Sequence, residues 1–488
     1  MRYFWYHIRM VIHPLDNVEI HEDGHKYARR AIAAGEAVVK YGMPIGHATR
    51  DIAPGEHVHV HNLATNLGDV LEYRYEPEFA DVPHVSAPEI MAYRHPDGRV
   101  GIRNDIWVIP TVGCVNRLCE RLAATCGGLA LTHPYGCSQL GADHEMTANL
   151  LAALARHPNA GGVLVVALGC ENNTLDSFAA RLGFAPGTFD PTSGTFQPIT
   201  PTTNPPNLSP FTFHLSPPNI RFIRAQDTGD EFERGKAMIA ELLANRPQER
   251  VPVSASELVV GLKCGGSDGF SGLTANPLVG RFSDWLVARG GSTVLTEVPE
   301  MFGAETLLMK RCRTRAVFDR CVAMVNDFKD YYTRHNQVCY ENPSPGNKAG
   351  GISTLEDKSL GCVQKGGSAP VEDVLNYGEP VKAHGLSLLT GPGNDLEAST
   401  VLAAAGCHLI LFTTGRGTPF GTVVPTLKVA TNATLAAAKP HWIDWDAMTN
   451  PDTDAFAAKV LAVAGGEPAR NETLGDRGIA IFKDGVTL

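Results

Sequence analysis

The 488-residue chain has no uninterrupted apolar run of about 18 residues, so no membrane-spanning helix is expected. It also lacks any basic excess: 42 Lys and Arg stand against 52 Asp and Glu, a net charge of −10. That balance argues against nucleic acid or an anionic membrane as the main partner, yet allows a local cationic pocket for a small anionic substrate. No two cysteines are spaced as CxxC, which speaks against zinc-ribbon and thioredoxin-type centres. Eleven scattered cysteines make a poor disulfide framework and suit a reducing, cytoplasmic location. The opening MRYFWYHIRMVIHPLDNVEI has neither the apolar centre nor the cleavage site of a secretion signal, so none is expected.

Glycine, by contrast, is plentiful, and it gathers at the ends of apolar runs. DIWVIP leads into TVGCVN, GLALT into HPYGCSQ, GVLVVAL into GCENN and ELVVGL into KCGGSDG. STVLTE then leads into VPEMFG, GLSLLT into GPGND and HLILFTT into GRGTPFG. Apolar runs without alternation predict parallel strands buried on both faces. Strand, loop and helix in repetition predict an α/β protein with mainly parallel sheets, whose ligands bind beyond the carboxyl ends of the strands.

The expected division is a small β domain over 1–75, a linker over 76–104, and α/β domains over 105–250 and 251–488. Residues 183–220 carry nine prolines from Pro186 to Pro218 and predict an irregular, largely disordered insertion.

Two nucleotide-binding readings fail on spacing. GCVQKGGS (361–368) places its lysine before the second glycine of a P-loop, and GPGNDL has two of three dinucleotide-fingerprint glycines. If EHVHVHN is a strand, His57, His59 and His61 share one face and can hold a metal, unless that face is merely solvated. Cys114, Cys137, Cys170 and Cys264 all fall at strand ends, with His133 and Glu171 beside two of them; small buried residues are the plainer reading of each alone.

In GLKCGGSDGFSG, Gly265 and Gly266 can offer backbone N–H groups to a carboxylate. Lys263 can neutralise that carboxylate, or act as a base if desolvation lowers its pKa. Asp268 can orient a hydroxyl or a metal-bound water, or simply cap a helix. Further glycine-rich loops contribute Glu297, Glu300, Asn347, Lys348, Glu356, Asp357, Lys358 and Arg416, the last a candidate for bidentate carboxylate binding.

KYGMPIGHATRDIAPGEHVHVHN, HPYGCSQLG, GLKCGGSDGFSGLTANPLVGRFSD, TEVPEMFGAE and ENPSPGNKAGGISTLEDKSLG resemble the altronate/galactarate dehydratase family, and the likeness spans nearly the whole chain. The resemblance implies a β-clip module of the SAF type followed by two Rossmann-like α/β domains. The chain is shorter between DNVEI and HKYARRAI than the resemblance implies, so the module is expected to be truncated. The implied activity is that of an Fe²⁺- or Mn²⁺-dependent hydro-lyase converting D-altronate to 2-dehydro-3-deoxy-D-gluconate in hexuronate catabolism. Galactarate dehydratase and a sulfolactate sulfo-lyase are alternatives within the family. A non-catalytic sugar-acid-binding protein is the alternative outside it, and a homo-oligomer is a candidate state.

Removing water from a 2,3-dihydroxy acid means taking the C2 proton and expelling the C3 hydroxyl, with a cation stabilising the enediolate. The candidates are Lys263 or His133 as base, Glu171 or Glu297 as acid, and Asp268 as an orienting group. Gly265, Gly266, Ser267, Lys348 and Arg416 are the substrate-binding candidates. His59 and His61, with Cys137 and Cys170, are the metal candidates.

Overall fold

The computed structural model describes residues 13–68, 72–199 and 219–485. The N-terminal module folds as two small antiparallel sheets. One joins β1 (Val18–Ile20), β2 (Lys26–Ala28) and β5 (His57–Val58); the other joins β3 (Ala37–Lys40), β4 (Met43–Ala48) and β6 (Leu63–Ala64). Val38, Ile45, Val58 and Leu63 point inward, and their core runs on without a break into Leu278, Phe302 and Leu360 of the last domain. The module is therefore docked, not tethered. The β3–β4 hairpin turns through Tyr41 and Gly42, both left-handed, with φ of 58° and 75°.

The stretch read as a linker, 76–104, is not structureless. It contains β7 (Glu89–Arg94) and β8 (Val100–Gly101), which join β13 (Val251–Ser254) in a three-stranded sheet. The alternation in EIMAYR, with Ile90 and Ala92 inward, carries this strand beneath a charged composition.

The middle domain has a parallel sheet in the order β10 (Leu129–Ala130), β9 (Asp105–Pro110), β11 (Ala160–Ala167), β12 (Ile220–Arg224). Trp107 and Ile109 of β9 face one core with Leu150 and Leu151, while Ile106 and Val108 face another with Leu122 and Leu242. Both faces are covered, which is why these strands read as unbroken apolar runs.

The last domain holds a seven-stranded parallel sheet. Its order is β16 (Val371–Leu375), β17 (Gly385–Leu389), β15 (Ser292–Leu295), β14 (Val259–Cys264), β18 (Leu409–Thr414), β19 (Thr426–Ala430), β20 (Trp445–Asp446). The chain runs from β14 to the β15 side and later crosses back to β18, so the strand order reverses at β14. Ligands bind at such a switch point. All seven expected strand–loop units are present, and the chain is an α/β protein with a small N-terminal β domain.

Part of the proline-rich insertion is ordered, against expectation. Phe184 bridges Pro198, Asp190 bridges Thr195, and the rings of Phe184 and Phe196 sit 5.5 and 5.0 Å from that of Phe222. Aromatic residues among the prolines supply a small core. Residues 200–218 of that stretch lie outside the described residues. Among the described residues no helix is long and apolar enough to cross a membrane.

Candidate active site

β14 delivers Lys263 and Cys264 to the middle of a buried charge network. Nζ of Lys263 pairs with Glu297 and, at 2.9 Å, with Asp395, and donates to the carbonyl of Cys264 at 2.6 Å. Glu297 follows β15 with a left-handed φ of 71°, a conformation that stores strain and recurs at functional sites. Its Oε2 accepts the Cys264 N–H at 2.9 Å and lies 3.4 Å from Nζ of Lys365. Glu300, three residues on, pairs through Oε1 with Lys358 at 2.7 Å. Its Oε2 accepts from the thiols of Cys264 and Cys362 at 3.1 and 3.2 Å, and the two sulfurs lie 3.3 Å apart. Three ammonium groups thus face three carboxylates around two thiols.

The electrostatics follow from that arrangement. Burial pushes the Lys263 pKa down, but Glu297 and Asp395 outweigh it and hold the group charged above its ordinary value. The condition for Lys263 to act as a base, a lowered pKa, is not met. Burial likewise favours a protonated Glu300, but Lys358, Lys263 and Lys365 hold its carboxyl well below the usual range. The bond to Cys264, with burial, keeps the Cys362 thiol protonated.

Cys264, Glu300 and Cys362 bring three ligand atoms within 4.8 Å of one another. Two sulfurs and one carboxylate suit a borderline-soft divalent ion such as iron better than calcium or magnesium. An ion held there would take the place of the thiol protons, and the three lysines would stabilise the resulting thiolates.

This group differs from the metal ligands expected from sequence. His59 and His61 do meet His57, with ring centroids 5.4 Å (His57–His59) and 5.6 Å (His57–His61) apart, and His25 joins them with its Nδ1 3.0 Å from Nε2 of His57. The four do not bring three ring nitrogens within reach of one ion. Burial lowers the His59 pKa to about 4, and the neutral ring stands 3.0 Å from the Lys348 carbonyl. That contact clamps the module to the last domain. Cys137 and Cys170 lie exposed in the loops that follow β10 and β11 of the other sheet.

Beside the charge network lies a small cavity at the module's edge. Ser267, Asp268, Asp357, Lys358 and Cys362 line it from the last domain, and Lys40 and Tyr41 line it from the module. Asp357 accepts from Lys26 at 2.7 Å and Lys40 at 2.8 Å, all three side chains being buried. Burial pulls Lys26 down to about 8, with Lys40 adding to the effect, whereas Asp357 keeps Lys40 above its ordinary value despite burial. Two cations share one carboxylate. The Ser267 hydroxyl is buried without a protein partner.

Asp268 is anchored by Thr431 and Asn432 at 2.9 and 3.0 Å and by Ser271 at 3.1 Å. Burial raises its pKa, outweighing these bonds. The Gly265 N–H is already committed to the Thr413 carbonyl at 3.0 Å, so it is not available to a substrate carboxylate. The Gly266 carbonyl accepts the Arg416 N–H at 3.0 Å, while Arg416 itself is exposed.

His133 and Glu171 stand in the middle domain, on loops of a different sheet from Lys263. The ring nitrogens of His133 engage the Pro110 carbonyl at 2.9 Å and the Tyr135 N–H at 3.2 Å. Burial lowers its pKa. Glu171 accepts from the Thr111 hydroxyl at 2.5 Å and the Gly169 N–H at 2.6 Å. Both side chains brace the loops after β9, β10 and β11. Sequence reading also missed Lys26, Lys40, Tyr41 and Lys365 as site residues, although Lys40 and Tyr41 open one of the family motifs and Lys365 stands in the stretch set aside as a failed P-loop.

Residues 255–487 match the family described as D-galactarate/Altronate dehydratase, C-terminal. Residues 92–246 match D-galactarate dehydratase/Altronate hydrolase, second domain, and 12–66 match Altronate/galactarate dehydratase SAF domain. The chain is 50% identical over 496 residues to an altronate dehydratase of Bacillus subtilis, covering 97% of this chain and 94% of that one. It is 50% identical over 485 residues to an altronate dehydratase of Escherichia coli, covering 95% and 92%. It is 30% identical over 467 residues to a galactarate dehydratase (L-threo-forming) of Escherichia coli, covering 88% and 81%.

Proposed function

This chain belongs to the altronate/galactarate dehydratase family, and from that premise we propose that it removes water from D-altronate to give 2-dehydro-3-deoxy-D-gluconate. It is a carbon–oxygen lyase acting on a sugar acid. What carries the choice of substrate is the 50% identity to two altronate dehydratases over nearly the full length, against 30% to the galactarate enzyme.

The cavity offers the groups this reaction needs. Of its two carboxylates, Asp357 is bound by two lysines and held well below the usual range, against the effect of its burial. Asp268 is the one whose proton affinity burial raises, and we assign it to take the C2 proton. Lys358, kept charged by Glu300 in spite of burial, is the acid beside it and gives its proton to the departing C3 hydroxyl. The enol left behind tautomerises to the 2-keto-3-deoxy acid. Lys263 and Lys365 stay charged and hold Glu297 in place.

Cys264, Glu300 and Cys362 are the residues that would hold Fe²⁺ or Mn²⁺, which supplies a Lewis acid for the developing enediolate. Cys362→Ser is expected to weaken iron binding at least about tenfold, on the scale of a lost or misplaced metal contact, as read by equilibrium dialysis. Unchanged iron affinity would place the ion elsewhere. Eleven free cysteines, with Cys264 and Cys362 unbonded at 3.3 Å, support a reducing cytoplasm as the setting.

The deciding experiment supplies D-altronate, galactarate and sulfolactate in turn, with Fe²⁺ or Mn²⁺ under reducing conditions. Release of a 2-keto-3-deoxy acid from altronate is expected, without sulfite from sulfolactate. Turnover of galactarate in preference to altronate would refute the substrate assignment.

A further inference from the structure

The tip of the β3–β4 hairpin is built against its own preferences. Turns in which both central residues have φ > 0 favour Asn–Gly and similar pairs, because side chains with a large Cβ substituent are strained there. Here the first position is Tyr41, at φ 58°. Its ring is half-buried and reaches the cavity, and its hydroxyl stands 2.7 Å from where a Cβ on Gly272 would lie. A glycine on the far wall thus makes room for the phenol. The Lys40 ammonium lies 4.7 Å from the centre of the same ring and also lines the cavity. Lys40 and Lys26 share the one carboxylate of Asp357, and Lys40 and Tyr41 are the groups the module contributes, among the described residues, to a cavity whose other charged lining is Asp268, Asp357 and Lys358.

We propose that this hairpin is the carboxylate grip of the site: the Lys40 ammonium and the Tyr41 hydroxyl bind the substrate's carboxylate and hold the negative charge that moves onto its oxygens when the C2 proton leaves. The inference rests on the dehydratase reading above. It accounts for three features together: the strained tyrosine, the glycine opposite it, and the second lysine on Asp357. The committed N–H of Gly265 and the exposed position of Arg416 remove two of the expected carboxylate partners in the last domain, and the module supplies others. Lys40 supplies charge to the bound carboxylate, and Tyr41 supplies a directed donor that gains strength as the enediolate forms. The β module then becomes a catalytic part of the enzyme.

The test separates charge recognition from folding. Lys40→Met leaves the Lys26–Asp357 pair intact and balanced, so the docked module is retained. Wild type is expected to bind altronate at least about tenfold more tightly than its neutral amide, altronamide, in calorimetry, a difference equal to one charged contact. In Lys40→Met that discrimination is expected to vanish. Tyr41→Phe, which removes only the hydroxyl, is expected to lower kcat/KM by about 10²-fold, the scale of losing one oxyanion donor. Gly272→Ala, which changes the opposite wall and leaves the module untouched, is expected to lower it similarly by displacing the phenol. Full discrimination in Lys40→Met overturns the inference, as does wild-type kcat/KM in both Tyr41→Phe and Gly272→Ala. Absence of altronate turnover by the wild-type enzyme would instead overturn the dehydratase reading itself.

Discussion

Asp268→Asn is expected to lower kcat/KM for altronate by about 10²–10⁴-fold, the range for removing a positioned general base. The carboxylate must be ionised to accept the C2 proton, so activity falls as pH drops through its pKa. Because burial raises that pKa, the acid limb of the wild-type profile is expected above the ordinary carboxylate value. The limb should be missing from whatever activity the variant retains. Wash-out of the C2 hydrogen in deuterated water is the direct readout, since it reports proton abstraction whether or not the hydroxyl leaves. Exchange at the wild-type rate in Asp268→Asn would remove Asp268 from that role.

Asp357→Ala is expected to cost about 3–5 kcal/mol of stability, the usual penalty for stripping a buried charge of its partner. Lys26 and Lys40 would then face each other in the interior with no carboxylate between them. Denaturant unfolding measures the loss, and limited proteolysis should cut first within the N-terminal module. Replacing Lys26 by methionine in the same chain should recover much of the stability by removing one orphaned cation. The pH dependence follows from the sign of the shift. Asp357 is held below its unfolded value, so its contribution is fully present above the ordinary carboxylate range and is lost as pH falls toward the depressed value. A variant as stable as the wild type would show that the module docks through its apolar core alone.

Much of the fold could be read from the chain because parallel strands covered on both faces leave a local mark, an apolar run followed by a glycine-rich loop. ELVVGL and HLILFTT each show it, and they lie side by side as β14 and β18. That same mark is also why the site was only partly legible. DIWVIP and GVLVVAL end in loops of the same kind, but in a different sheet, where His133 and Glu171 hold backbone groups. Nothing local tells one sheet's loops from the other's.

Lys263 and Glu297 were recognisable as charged groups at strand ends. Lys26 and Lys40 were not, because a lysine on a short polar strand looks solvated until its partner is known. Their partner, Asp357, is 331 residues from Lys26 and 317 from Lys40. Tyr41 was hidden for a different reason. Its left-handed backbone is a property of the hairpin's register, and a tyrosine gives no propensity signal for that conformation.

The 331-residue separation between Lys26 and Asp357 also sets a sequence of events during biosynthesis. The module leaves the ribosome with two amines whose neutralising acid is translated long afterwards. Until that acid emerges, those amines have every reason to remain hydrated, and the N-terminal sheets cannot seat against their neighbour. Seating of the module therefore waits on translation of residue 357, and a nascent chain stalled before it should present the N-terminal sheets to proteases.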